Sequence, residues 1–169
     1  MIQRFRFIII VSIIMILGIM NLYSQNNKFV PKYNTIISSN KGADMLKQCS
    51  RAAPGEVDSF FTLTSNDVQK LENNFKKILN IRAKDCCLLN GMIKNIENYC
   101  FQYVGFVINN KKYIYVNALK MESEEDLKTI YKDWKTSPII ICDGGDSFWG
   151  IIYDLETGLF TQLSINGAS

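Results

Sequence analysis

Residues 99–118 read YCFQYVGFVINNKKYIYVNA, and the way this stretch pairs with itself decides the fold. Aromatic and β-branched side chains fill Tyr99–Ile108 and Lys112–Ala118, separated by Asn109, Asn110 and Lys111, which tolerate a tight turn. The stretch is therefore expected to form a β-hairpin. Alternation along the first strand puts Phe101, Tyr103 and Val107 on one side and Val104, Phe106 and Ile108 on the other. In the second strand Tyr113, Tyr115 and Asn117 oppose Ile114, Val116 and Ala118. One face of the hairpin is expected to be aliphatic and aromatic, and the other to gather Tyr103, Tyr113 and Tyr115.

Helical signals flank this hairpin. Thr64 or Ser65 can cap a helix with Asp67 near its positive end, and Val68, Leu71, Phe75, Ile78 and Leu79 fall at helical spacing, which predicts an amphipathic helix over about 66–80. Ser123 before Glu124, Glu125 and Asp126 marks a second start, with Leu127, Ile130, Tyr131 and Trp134 as its buried stripe and Pro138 as its stop. Shorter elements are expected as strands around Thr35–Ile37, Val57–Thr64 and Ile139–Ile141, and as short helices around Ala43–Gln48 and Met92–Ile96. Phe148–Tyr153 and Leu159–Ile165 form a last hairpin whose connection ends in Gly158. Short turns between strands imply antiparallel pairing. The expected architecture is α+β: one domain with a twisted antiparallel sheet of five to six strands and two main helices packed on one face.

The N-terminal stretch has a different character. Arg4 and Arg6 precede an apolar run from Phe7 to Met20 and a more polar Asn21–Gln25, the order of a secretory signal peptide over residues 1–24. The alternative is a retained membrane anchor, for which the run falls slightly below the ~18 to 20 residues a span needs. Residues 25–56 then form a lead-in, and 57–169 the main domain. Removal of residues 1–24 leaves 17 basic and 16 acidic residues, a net charge of +1. Near-neutrality argues against a nucleic-acid partner held by phosphate contacts. Roughly 145 remaining residues suffice for one domain that buries about 70% of its unfolded surface, and the 12% aromatic content excludes disorder.

All five cysteines, Cys49, Cys86, Cys87, Cys100 and Cys142, follow the signal, so they would fold in an oxidising compartment and are candidates for disulfides. Connectivity is not readable from the sequence. The strained geometry of a bond between neighbours favours joining Cys86 or Cys87 to Cys100 or to a distant partner. The other reading is that several are small buried hydrophobes.

Histidine is absent from the chain. That removes Ser-His-Asp and Cys-His nucleophile activation, and His-ligated zinc. No C-x-x-C pair supplies a four-cysteine site, so neither a metal nor a cofactor is expected. The densest polar cluster is Cys142-Asp143-Gly144-Gly145-Asp146-Ser147. Asp143 and Asp146 suit a hard cation such as calcium, but the same residues suit a turn with glycines at unusual backbone angles, and the turn is the favoured reading. An acid/base pair for glycoside hydrolysis finds no support in their spacing. Cys142 lacks a base to activate it as a nucleophile.

Large aromatic surfaces with a polar handle are enriched at binding sites. Tyr103, Tyr113 and Tyr115, with Trp149 and Tyr153, are therefore a candidate recognition surface alongside Asp143, Asp146 and Ser147, though Trp149 reads first as core. The segments Gln102–Gly105, Lys112–Asn117, Cys142–Gly145, Trp149-Gly150 and Asn166-Gly167-Ala168 resemble a family of small exported bacterial proteins of unassigned activity, over roughly the last 70 residues. The resemblance implies an exported α+β domain and transfers no catalytic residue. The expected function is an exported, periplasmic or secreted, non-enzymatic binding or accessory module, such as an inhibitor. Its partner would be a protein or another envelope component, and it would touch the membrane only through an uncleaved N-terminus. The alternative is a carboxylate-dependent enzyme acting on a cell-wall or sugar substrate.

Overall fold

Two ten-residue strands, β3 (Tyr99–Ile108) and β4 (Lys111–Lys120), form the spine of the molecule. The computed structural model describes residues 29–84 and 91–167. The signal-peptide segment and the pair Cys86 and Cys87 lie outside the described residues. In chain order the elements are β1 (Tyr33–Ile36), α1 (Gly42–Met45), β2 (Ser59–Phe61), α2 (Ser65–Asn74, continued by a 3-10 stretch Phe75–Asn80), β3, β4, α3 (Asp126–Thr129), β5 (Phe148–Asp154) and β6 (Phe160–Ile165). They build one α+β domain around a six-stranded sheet of order β1-β3-β4-β5-β6, with β2 also paired to β3.

The hairpin turn sets the faces of the sheet. Asn109 and Asn110 alone make the turn, both in the left-handed region with φ of 51° and 61°, and Ile108 pairs with Lys111. Asparagine tolerates this conformation in a two-residue turn, whose twist matches that of the strands. Counting Lys111 as part of the turn shifts the pairing by one residue, and in a sheet such a slip moves side chains to the opposite face. The observed register places Tyr103 beside Val116 and Tyr115 beside Val104. Tyr103 therefore lies on the face opposite Tyr113 and Tyr115, and the expected three-tyrosine face does not form.

On the first face, Phe101, Tyr103, Ile114, Val116, Trp149, Ile151 and Tyr153 pack under Leu71, Phe75 and Ile78 from α2 and its extension. Phe75 meets Phe101 edge-on at 4.8 Å. Each such side chain contributes about 1.5–3 kcal/mol on burial. Thr64 and Asp67 close a reciprocal capping box at the start of α2, which satisfies two of the free N–H groups there.

The second face divides in two. Ile37 and Met45 cover Val104, Phe106, Tyr115 and Ile152, while Leu127, Tyr131 and Trp134 cover Cys100 and Leu119. The two main helical stretches thus sit on opposite faces rather than on one.

Several short elements differ from expectation. β1 pairs parallel to β3, so the sheet is mixed; a strand that reaches its neighbour across some 60 residues is not bound by the hairpin rule. The strand expected over 57–64 is limited to β2, and Met92 forms an isolated bridge with Arg82 in place of a helix over 92–96. α3 has a single turn of α-helix before looser turns, and at the end of those turns the carbonyls of Trp134 and Ser137 accept hydrogen bonds from Gln102 Nε2 at 2.6 and 2.8 Å. Ile139–Ile141 is not a strand. It crosses the sheet transversely, held by side chains in place of a ladder.

Candidate functional site

Buried backbone groups must find partners, and the crossing segment finds them in three amides. Ile139 N–H donates to Gln102 Oε1 (2.9 Å), Asn117 Nδ2 donates to the Ile139 carbonyl (2.8 Å), and Asn166 Nδ2 donates to the carbonyls of Ile141 (2.6 Å) and Asp143 (2.9 Å). Gln102 and Asn117 are cross-strand neighbours and also bond each other at 2.9 Å. Asn117 is followed in its row by Gly150, where an added Cβ would stand 2.2 Å from Tyr115 Oη. Only glycine fits beside that tyrosine ring.

Arg51 joins this network from the other side. It is 9% exposed and donates through Nε to Tyr115 Oη (3.2 Å), through Nη1 to Asn166 Oδ1 (2.9 Å), and through Nη2 to Asn117 Oδ1. Burial pushes the Tyr115 hydroxyl above its ordinary pKa, and the guanidinium opposes that shift. The segments flanking Arg51 are tied down as well. Cys49 forms a disulfide with Cys142, Ser50 Oγ accepts from Gly167 N–H (2.8 Å), and Ala52 N–H donates to Ser164 Oγ (2.9 Å).

These contacts fix the loop Cys142–Ser147. Its first end is held by the disulfide and by Asn166 Nδ2 on Asp143, its far end by a hydrogen bond from Asn166 N–H to the Phe148 carbonyl at 3.0 Å, and its middle by one from Gly145 N–H to the Gly167 carbonyl at 3.1 Å. Gly144 and Gly145 have φ of 87° and 55°, a conformation that favours glycine. Asp143 and Asp146 are exposed on this frame, and Ser147 is half-buried. Tyr99 Oη donates to the Asp146 carbonyl at 2.8 Å, and a cleft of about 150 Å³ opens beside the loop among Lys94, Asn95, Asn98, Tyr99, Lys120 and Asp146. Burial raises the Tyr99 hydroxyl pKa.

The structure separates the remaining candidates. Tyr103, Tyr115 and Trp149 are buried, and Tyr113 is half-buried. Trp149 packs against Tyr99 and Phe101, and Tyr153 bonds Asn74 and the Lys70 carbonyl. Burial of Tyr103 and Tyr115 removes them from any recognition surface. Cys100 is a buried free thiol whose pKa burial pushes up to about 12, far from thiolate chemistry. Among the described residues no three His, Cys, Asp or Glu side chains gather to hold a metal, and no helix is long and apolar enough to cross a membrane.

Two further clefts exist. A groove of about 460 Å³ follows β6 and is flanked by Arg82 and Lys84, and another of about 380 Å³ lies beside Trp134. None of the three clefts brings two carboxylates together. The residues that sequence reasoning missed are Arg51, Gln102, Asn117 and Asn166. Gln102 and Asn117 did leave a signal, as amides at alternating positions inside otherwise apolar strands. Comparison of the chain with protein-family models, curated proteins and solved structures finds no match in any of the three.

Proposed function

We propose that the protein is an exported, non-enzymatic binding module that recognises a partner in the cell envelope or outside the cell through the loop Cys142–Ser147 and the cleft beside it. The observation that carries this reading is the loop's construction: a backbone fixed at both ends and in the middle, with two carboxylates exposed on it. A loop ordered before binding loses little entropy when the partner arrives, and binding residues concentrate on loops held by rigid scaffolds. The Cys49–Cys142 disulfide supports export, because such bonds persist in oxidising compartments. The apolar N-terminal run supports a signal peptide that is removed. None of the three clefts described among these residues supplies the carboxylate-enzyme alternative with two carboxyl groups.

The test compares exported protein with its Asp143→Ala/Asp146→Ala variant in affinity capture from envelope extract. N-terminal sequencing is done on the same material. A partner retained by the parent and lost by the variant, with circular dichroism unchanged, is the expected result. Equal capture by both would remove the loop from the recognition surface, and a chain that still begins at Met1 would remove the cleaved signal.

A further inference from the structure

The cleft beside Trp134 lies away from the loop and has a different chemistry. Its floor is apolar: Leu127 and Trp134 are buried, and Tyr33 is half-buried at the start of β1. Its wall carries Lys128, Lys132 and Lys135, which recur at four- and three-residue intervals. The chain beyond α3 runs in turns, and it is the shared cleft that brings the three ammonium groups together. A chain whose overall charge is only +3 thus concentrates three cations at one cleft.

The neutralisation of this charge is incomplete. Among the described residues Glu124 is the one acid lining the cleft, and it is already paired with Lys32. Lys32 and the Tyr33 hydroxyl hold its carboxyl below the ordinary carboxylate range. Lys128 has a 3.5 Å contact with Glu125 in which both side chains are largely solvent-exposed, a geometry that contributes little. Lys132 and Lys135 form no ion pair among the described residues. The Lys135 ammonium stands 5.6 Å from the centre of the Trp134 ring and the Lys32 ammonium 5.0 Å from that of Tyr33. These cation-π contacts hold both charges near the cleft.

We infer that this cleft binds an anionic saccharide, a sugar ring bearing carboxylate or phosphate groups. Its volume falls in the range of small-ligand sites. The part-exposed Tyr33 ring suits the apolar face of a pyranose ring, and the lysine wall suits its anions. Lysine acts as a point charge without the planar fork of arginine, so the site selects negative charge beside an apolar ring and accepts either anion type. The inference is independent of the loop Cys142–Ser147.

Calorimetric titration of the mature protein separates the sources of charge. The probes are oligogalacturonate, glucose 6-phosphate, a neutral maltooligosaccharide, inorganic phosphate and a single-stranded oligonucleotide. Each is also titrated into the Lys132→Gln/Lys135→Gln variant and into Tyr33→Leu. The expected result is binding of at least one anionic saccharide that weakens with added salt. That binding weakens about tenfold in the double variant and also in Tyr33→Leu, while the neutral sugar and inorganic phosphate bind weakly or not at all. Both lysines are on the surface, so the double variant retains its unfolding midpoint. Failure of both anionic saccharides to bind, unchanged binding in the double variant, or equal affinity for inorganic phosphate or the oligonucleotide would each overturn the inference. None of these outcomes bears on the Asp143 and Asp146 test.

Discussion

Arg51 and Tyr103 place buried polar atoms on opposite faces of one sheet with opposite consequences. The guanidinium of Arg51 has three hydrogen-bond partners among the described residues, all neutral, so none of them is a carboxylate that would offset its desolvation. What it does supply is donors to Asn117 and Asn166, whose other ends hold the crossing segment. Arg51→Met would leave those two buried acceptors without donors and is expected to cost about 2–4 kcal/mol in urea unfolding. An unchanged midpoint would mean that water reaches the network. Tyr103 is the reverse case, because its hydroxyl is buried with no hydrogen-bond partner among the described residues. Tyr103→Phe removes the unsatisfied oxygen and keeps the ring against Phe75, so a gain of about 1 kcal/mol is expected. A loss in the same assay would show that the hydroxyl has a partner. Gly150 fits the same logic of close packing, since any side chain there collides with Tyr115.

The clasp formed by residues 49–52, 142–147 and 164–167 joins parts of the chain that are far apart in sequence. The disulfide alone spans 93 residues, and closing so long a loop in the unfolded chain is expected to be worth about 2–5 kcal/mol. The Cys49→Ser/Cys142→Ser variant should unfold at correspondingly lower urea while keeping its native near-ultraviolet spectrum, because Asn166 and the Gly167 carbonyl still hold the loop. Loss of that spectrum in the absence of urea would show that the covalent bond, and not the hydrogen bonds, positions the loop. These elements also show what the sequence could reveal. Local signals marked both hairpins, the start of α2 at Thr64 and the turn at Gly144 and Gly145, because spacing and turn chemistry act over a few residues. The faces of the central hairpin depended on whether Lys111 belonged to the turn, and a one-residue difference moved Tyr103 from the expected surface into the core. Arg51 left no local signal, since its partners lie 64, 66 and 115 residues away. Of the candidate site, the exposed Asp143 and Asp146 were legible as a polar cluster in a turn. The clasp that fixes them was not.

Across the whole molecule, ionisation makes the two ends of the pH range unequal. At the acid end Asp126 and Asp154 have lowered pKa values. For Asp126 the cause is the backbone N–H groups of Glu122 and Ser123; for Asp154 burial pushes upward, but the N–H groups of Thr157 and Glu156 outweigh it. A depressed folded value gives stability that is present above the ordinary value of 3.8 and is lost as pH falls through the folded one. Both carboxylates face solvent, so screening keeps this loss gradual. At the alkaline end burial raises Tyr99, Tyr103, Tyr115, Tyr131 and Tyr153 above 10.0, and Cys100 from 9.0 to about 12. With raised folded values the native state holds protons that the unfolded chain releases, so stability is complete below the unfolded values and is lost as pH rises through the folded ones. Tyr103 and Tyr115 lie on opposite faces, so ionising either one requires one of the two cores to open. Tyrosinate absorbance is therefore expected to be delayed past pH 10 for these residues and then to rise together with the loss of circular dichroism. A gradual titration of every tyrosine near the ordinary value with the fold intact would mean that the two faces of the sheet are open to water.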